Sequence, residues 1–350
     1  MKIAFIIPSL ANKGPIIMVQ SLVQHLVLEG YSCQVYYFDA INELSFACPT
    51  QQIKFLEAIN FNNYQVIHSH LFRPDVYCAI HQKKIKRSGA KLMSTIHTAI
   101  YDDLAFTYGN LKSQILIFFW EAAWKRIHHL VVLTDLAKGY YNGLKAKEIS
   151  VINNGRDLPE HWPALLPQDL AAISSLREQY VVLGTVCSID ERKGLTQLIE
   201  LLVIRKNFAV VVVGDGALKE SLIELAQANS VAERFKVIGF REEGYRYIPL
   251  FDLYLLPSRS EGMPLALLEA MALKVPIVAS AIPSLTGEFS SSGIVFFQLD
   301  DIDGLGVACD KALASGKFFS DSAYNYYIQN YTLSKMGARY IALYKRVSLN

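Results

Sequence analysis

Two glutamates separated by seven residues, Glu261 and Glu269, frame the stretch of this chain whose residue types bear most directly on chemistry. It reads Leu256-Pro257-Ser258-Arg259-Ser260-Glu261-Gly262-Met263-Pro264-Leu265-Ala266-Leu267-Leu268-Glu269-Ala270-Met271-Ala272. An apolar strand pattern ends at Pro257, a polar loop follows, and Pro264 suits a first helical turn, where its missing N–H costs nothing. A helix start after a glycine favours an anion, because its free N–H groups and dipole point outward. Pro264 has no N–H, so Met263, Leu265 and Ala266 are the expected donors. A carboxylate beside an anion site makes sense if it accepts hydrogen bonds from sugar hydroxyls. Taken alone, Glu269 also fits a solvated glutamate, since its neighbours Leu267, Leu268 and Met271 are core residues.

Three other loops carry polar chemistry. In Gly184-Thr185-Val186-Cys187-Ser188-Ile189-Asp190-Glu191-Arg192-Lys193-Gly194 a strand gives way to charge, and Lys193-Gly194 is expected to open a helix. A lysine there can neutralise a diphosphate; a solvated surface loop is the commoner fate of such a run. Gly214-Asp215-Gly216 follows the strand pattern ending at Val213, a turn many α/β proteins share. Val237-Ile238-Gly239-Phe240-Arg241-Glu242 comes next, with Phe240 open to a core-packing role as well as a ligand-facing one. Asp301-Ile302-Asp303 is formally a D-x-D, but its place before a helical pattern makes it a helix cap and not a metal site.

Loops act only where elements hold them, and the pattern of elements occurs twice. Strands are expected at Ile3–Ile7, Gln34–Tyr37, Val66–His68, Lys91–His97, Leu130–Leu133 and Ile149–Ile152. A second set is expected at Tyr180–Val186, Phe208–Val213, Lys236–Ile238, Leu253–Leu256, Ile277–Ala279 and Ile294–Phe297. Nearly every position is apolar or β-branched, as in strands buried on both faces. Helical spacing fills the gaps at Ile16–Glu29, Leu195–Val203 and Leu218–Ala228. Such alternation gives parallel sheets wound on both faces, which bind ligands beyond the C-terminal ends of their strands. Asn153-Asn154-Gly155 and the prolines at 159, 163 and 167 mark a connection near residues 156–175. The expected division is residues 1–165, residues 166–330, and a helix over 331–350 that packs back on the first domain.

Composition removes several classes. Hydrophobic residues make up 52% and charged ones 19%, which excludes a disordered chain. A net charge of +2 gives no global attraction to nucleic acid. Five cysteines without C-x-x-C spacing point to a reducing compartment and no structural zinc. The short apolar run Ile3–Ile7 ends at Pro8 and lacks the features of a signal peptide, and no run is long enough to span a membrane. A cytoplasmic protein is expected.

The two-glutamate segment closely resembles the signature of retaining glycosyltransferases of the GT-B fold, glycosyltransferase family four, and the resemblance extends in order over most of the chain. It implies two Rossmann-like domains facing a cleft, the first binding the acceptor and the second the nucleotide sugar. Glu261 would then lie by the donor sugar and Glu269 would hold the nucleotide ribose, with Gly262, Met263, Pro264 and Leu265 around the phosphates. Lys193 matches the lysine of the family's pyrophosphate clamp. Ser188 stands where the clamp arginine is expected, and Arg192 is its potential stand-in. Gly214 matches the family's glycine turn, and Phe240 and Arg241 fall in its base-binding loop. In the loop after the first strand, family members show two glycines; here Gly14 is present and Pro15 replaces the second. His97, at a strand end, matches the position that contacts the donor sugar. Thr134 stands where the family often has a serine, and Asn154-Gly155 matches its turn before the linker.

The implied activity is retaining, metal-independent hexosyl transfer from a nucleotide-diphosphate donor, UDP-sugar favoured, to a glycan or lipid-linked hydroxyl in surface polysaccharide assembly, with no cofactor. A GT-B epimerase and a non-catalytic carbohydrate- or partner-binding scaffold are the alternatives. The basic cluster Lys83, Lys84, Lys86, Arg87 and Lys91, with the apolar run Ile115–Trp120, would suit a peripheral contact with an anionic membrane. A solvated helix end and a buried helix explain the same residues and are the preferred reading.

Overall fold

The computed structural model describes residues 1–97, 100–143 and 148–349, apart from the side chains at 102, 105, 107, 108 and 110. The chain divides into two compact units, Met1–Arg156 with Tyr331–Asn350, and Asp157–Asn330.

In the first unit the described residues form seven strands: β1 (Lys2–Ile7), β2 (Ser32–Tyr37), β3 (Thr50–Gln52), β4 (Val66–His70), β5 (Lys91–Ile96), β6 (His129–Val132) and β7 (Glu148–Val151). Their order is β3-β2-β1-β4-β5-β6-β7, and all pairings are parallel. β1 and β4 are buried almost throughout, which is why they read as unbroken apolar runs. β3 escapes that pattern. Thr50-Gln51-Gln52 is an exposed three-residue edge strand, and an edge strand needs no apolar signature.

The last helix, Leu333–Leu349, belongs to this unit. Met336, Tyr340, Leu343, Tyr344 and Val347, at helical spacing, pack with Ile3, Phe5, Ile7, Val19 and Val23. The tyrosine hydroxyls do not go unsatisfied in that core. Tyr344 meets His68 Nδ1 at 2.8 Å and Tyr340 meets Thr95 Oγ1 at 3.0 Å.

The second unit holds six strands among the described residues: β8 (Val181–Val186), β9 (Phe208–Val213), β10 (Phe235–Gly239), β11 (Leu253–Leu256), β12 (Ile277–Ser280) and β13 (Val295–Phe297). Their order is β10-β9-β8-β11-β12-β13, again with parallel pairings. Every residue of β9 is buried. Helices Thr196–Ile204 and Ile302–Ala314 supply Leu198, Leu202, Leu305 and Ala312 to the same core as Leu183, Val210 and Leu255. No helix among the described residues is long and apolar enough to cross a membrane.

Candidate functional site

Each sheet has one place where the winding reverses. In the second sheet it lies between β8 and β11. Helices leaving those two strands depart to opposite faces, so a crevice opens at the strands' C-terminal ends. The loops that border it are the charged loop after β8 and the two-glutamate loop after β11. They meet. Lys193 Nζ lies 2.6 Å from Glu261 Oε1, and Ser258 Oγ donates to the same oxygen at 2.7 Å. The side chain of Lys193 is 12% exposed and that of Glu261 5%. A pair so withdrawn from water loses much of its hydration, so burial of this kind is weak evidence of a contribution to stability.

Backbone geometry places the lysine. Glu191–Lys193 forms a single 3₁₀ turn that ends at Gly194 with φ +61°. A Cβ there would sit 2.3 Å from the Pro257 carbonyl oxygen, so only glycine lets the two loops approach. Gln197 then fastens them: its Nε2 donates to the carbonyls of Gly194 at 3.0 Å and Pro257 at 2.9 Å, and its Oε1 accepts from Asp300 N at 2.9 Å. Lys193-Gly194 therefore does not open a helix directly; the helix starts at Thr196, after the left-handed glycine. The loop after β9 closes in as well. Gly214 N donates to the Gly239 carbonyl at 2.9 Å, and a Cβ on Gly214 would collide with the Cys187 carbonyl.

The helix after Glu261 runs Leu265–Ala272. Pro264 is its N-cap, one position earlier than its first-turn preference suggests, so the outward N–H groups are those of Leu265 and its successors. Gly262 and Met263 form the approach, with Met263 buried. Glu269 is buried one turn in, which overturns a solvated placement. Ser188 and Arg192 turn to Asp190: the Ser188 hydroxyl donates to Asp190 Oδ2 at 2.6 Å, and Arg192 NH2 lies 3.8 Å from that oxygen.

The loop after β10 splits its two candidates. Phe240 is 54% exposed, so it is not a core residue. Arg241 is held as a fork on Asp169, Nε to Oδ2 at 2.7 Å and NH2 to Oδ1 at 2.9 Å, while Tyr247 donates to the same carboxylate. Arg241's hydrogen bonds hold the Asp169 carboxyl below the usual range. The guanidinium thus fixes the loop to helix Pro167–Arg177. Asp301 caps helix Ile302–Ala314 by accepting from Gly304 N at 2.9 Å. Among the described residues no cluster of three or more His, Cys, Asp or Glu is placed to hold a metal ion.

In the first unit the reversal lies between β1 and β4. The loop after β1 leads into helix Gly14–Leu28, with Lys13 as N-cap and Pro15 in its first turn. A Cβ on Gly14 would meet open space, so nothing local demands glycine there. At the C-terminal ends of β4 and β5 lies a group of buried histidines, His68 and His70 within β4 and His97 just past β5. His97, just beyond β5, accepts or donates through Nε2 to His70 Nδ1 at 2.9 Å, and His68 Nε2 meets Thr95 Oγ1 at 2.8 Å. Burial drives His68 and His97 down to about 3 and His70 well below its ordinary value, so all three are neutral rings near pH 7. Ser258, Gln197 and His70 were not legible as site residues. The signal for Gln197 and His70 is a bond to a segment distant in sequence, whereas Ser258 bonds Glu261 within its own loop.

The apolar run lies in the stretch Ile100–Trp124, where two helices meet at a kink at Gly109 (φ +73°), and it divides by face. Trp120 and Trp124 are buried and donate through Nε1 to Asp75 Oδ2 at 2.7 and 2.8 Å. Leu111, Ile115, Phe118 and Phe119 are exposed, Phe118 to 67%. The run is therefore only half a core element, which corrects the reading of it as a buried helix.

Two family models match. Residues 35–160 match Glycosyltransferase Family 4 and residues 168–325 match Glycosyl transferases group 1. The chain is similar to the O-antigen biosynthesis glycosyltransferase WclY of Escherichia coli, 27% identical over 358 aligned positions, covering 99% of each chain. It is similar at 27% identity to the UDP-Gal:alpha-D-GlcNAc-diphosphoundecaprenol alpha-1,3-galactosyltransferase of Escherichia coli, over 72% of this chain and 67% of that one. Among solved structures, Anabaena HepE in complex with UDP and glucose superposes with a TM-score of 0.80 at 16% identity, covering 98% of this chain and 99% of that one. With two parallel Rossmann-like sheets and the two matching models, the chain is a glycosyltransferase of the family-four type with the GT-B fold.

Proposed function

We propose that this glycosyltransferase is a retaining, metal-independent hexosyltransferase that uses a nucleotide-diphosphate sugar, UDP-sugar favoured, and acts on a glycan or lipid-linked hydroxyl in surface polysaccharide assembly. The observation that carries the reading is the convergence of Lys193, Glu261 and the N-terminus of helix Leu265–Ala272 at the reversal point of the second sheet. That arrangement offers a cation and outward N–H groups to a diphosphate, and a carboxylate to hydroxyls. The relatives' printed names support the substrate class: one is an O-antigen enzyme, another acts with UDP-Gal on a diphosphoundecaprenol-linked sugar.

In this reading the second unit binds the nucleotide and the first the acceptor. The bond from the sugar's anomeric carbon to the diphosphate oxygen breaks, and the acceptor oxygen bonds that carbon on the same face. The acceptor's proton passes to the departing phosphate. Lys193 and the helix N–H groups stabilise the charge that develops there. Glu261 and His97 orient the sugar, and Glu269 holds the ribose. Arg241 supports the loop carrying Phe240 without itself reaching the nucleotide. The enzyme works at the cytoplasmic face of an anionic membrane, where exposed Leu111, Ile115, Phe118 and Phe119, with Lys112, Lys125 and Arg126 on the same helix and just past its end, form an apolar and basic contact.

A nucleotide-sugar thermal-shift screen tests the donor class, because ligand at a hundredfold excess over Kd adds about 2.7 kcal/mol. Turnover with the best donor is then followed by NMR of the product anomer, with and without EDTA. Inversion of the anomeric centre, or loss of turnover on chelation with rescue by manganese, overturns the corresponding part of the reading.

A further inference from the structure

Among the buried side-chain atoms of the first unit that lack a hydrogen-bond partner in the described structure is His70 Nε2. His70 is fully buried, its ring stacked on Phe5 and 4.1 Å from the centroid of His68. Its other nitrogen, Nδ1, meets His97 Nε2 at 2.9 Å. A neutral imidazole carries a single N–H, so that contact admits two arrangements. If His97 donated, the proton of His70 would have to sit on Nε2, as a buried N–H with nothing to accept it. If His70 donates from Nδ1, the orphan at Nε2 is a lone pair. Buried N–H groups without acceptors are rarer and costlier than under-used acceptors.

We propose that His70 is a positioning residue: its Nδ1–H donates to His97 Nε2 and so fixes His97 as the tautomer protonated on Nδ1. A histidine's free edge is set by the bond its other nitrogen makes. His97 then offers a bound molecule an N–H donor rather than a basic lone pair. The rest of the cluster keeps the arrangement dry and neutral. His68 spends both nitrogens on Tyr344 and Thr95, and Tyr340 completes the group through Thr95. Resting on the reading that His97 contacts the donor sugar, this makes its partner there an acceptor oxygen, such as a sugar hydroxyl or ring oxygen, and removes His97 from consideration as a general base. The serine between the two histidines takes no part, since its hydroxyl donates to Asp75 at 2.6 Å.

The test is ¹⁵N-histidine NMR on the full chain. Two-bond couplings from the ring carbons' protons show which nitrogen is protonated, and His97 is assigned by the signal lost in His97→Gln. The wild type is expected to show His97 protonated on Nδ1. His70→Leu removes the donor and should move His97 towards the Nε2-protonated form that imidazole prefers in water. His70→Asn, whose amide nitrogen falls near the place of Nδ1, should restore the wild-type pattern. A wild-type His97 protonated on Nε2, or one unchanged in His70→Leu, overturns the inference. Transfer assays separate it from the functional reading. His70→Leu should lower kcat at least tenfold with little change in nucleotide affinity, and His70→Asn should recover most of it. A tautomer that shifts as expected while turnover stays at the wild-type level keeps the assignment of His70 but refutes the role of His97 at the sugar.

Discussion

Lys193 answers to two demands at once. It is the cation expected to meet a diphosphate, and it is already bonded to Glu261. Removing it therefore does two separable things. Lys193→Ala should weaken binding of free UDP by tenfold or more, and should also leave a buried carboxylate without its partner, a loss of stability on the order of 3 kcal/mol. Adding Glu261→Gln removes the stranded charge, so the double variant should regain most of the melting temperature while still binding UDP poorly. Calorimetric titration and thermal melts read the two effects independently. Full UDP affinity in Lys193→Ala would remove the phosphate site from this loop. Glu269→Ala is expected to cost about 1.5–3 kcal/mol of nucleotide affinity through a lost charged acceptor. Ser188→Arg tests the family's missing clamp. Ser188 is exposed beside Asp190 and Arg192. An arginine placed there should tighten UDP binding without raising turnover, because tighter product slows its own release. If Ser188→Arg binds UDP no better than wild type, that loop position does not face the diphosphate.

At the scale of elements, the clearest consequence concerns the ends of β4 and β5. His68, His70 and His97 are neutral in the fold, and among the described residues their polar partners are one another, Thr95 and Tyr344, with Tyr340 joined through Thr95. His129, the other titrating ring felt by His68, is also held low by burial. In the unfolded chain histidines take up protons near pH 6.5, whereas His68 and His97 resist until about 3. Between those values the unfolded state binds more protons. Stability contributed by the cluster is therefore complete above pH 6.5 and is lost as pH falls towards 3, at up to about 1.4 kcal/mol per pH unit for each ring. Urea midpoints followed by Trp120 and Trp124 fluorescence, with Trp162 replaced by Phe, should drop steeply from pH 7 to pH 5; a flat profile would mean the rings are protonated in the fold. The strands that carry these residues were legible because both faces of a parallel sheet are buried and leave unbroken apolar runs. What joins the loops was not. The Lys193–Glu261 bond spans 68 positions and the Arg241–Asp169 fork 72, and no local periodicity encodes either. The same limit hid the two-faced nature of the helical stretch before Trp124, since an apolar run cannot say which of its residues meet Asp75 and which meet solvent.

At the scale of the whole molecule, the chain leaves its first unit at Arg156 and re-enters it at Tyr331, and the two points touch: Arg156 N donates to the Tyr331 carbonyl at 2.9 Å. The returning segment is not an ornament. Tyr340 and Tyr344 are fully buried in the same core as Phe5 and Ile7, and their hydroxyls supply partners to Thr95 and His68. Truncating the chain before Tyr331 would expose that apolar face and strand those polar groups, each loss worth several kcal/mol against the 5–15 kcal/mol that typically holds a domain together. Residues 1–156 expressed alone should therefore fail to unfold cooperatively. Joining Arg156 directly to Tyr331 through a short Gly-Ser linker should restore a cooperative transition, because the ends already lie within hydrogen-bond distance and closing so short a gap costs little entropy. The second unit lacks this dependence. Its sheet, its core and the Lys193–Glu261 pair all lie within residues 157–330, so that segment alone should fold and, if it holds the whole nucleotide site, bind UDP within a few-fold of the full chain. A folded 1–156 would contradict the role given to the tail. A folded 157–330 that ignores UDP would show that the first unit contributes to nucleotide binding.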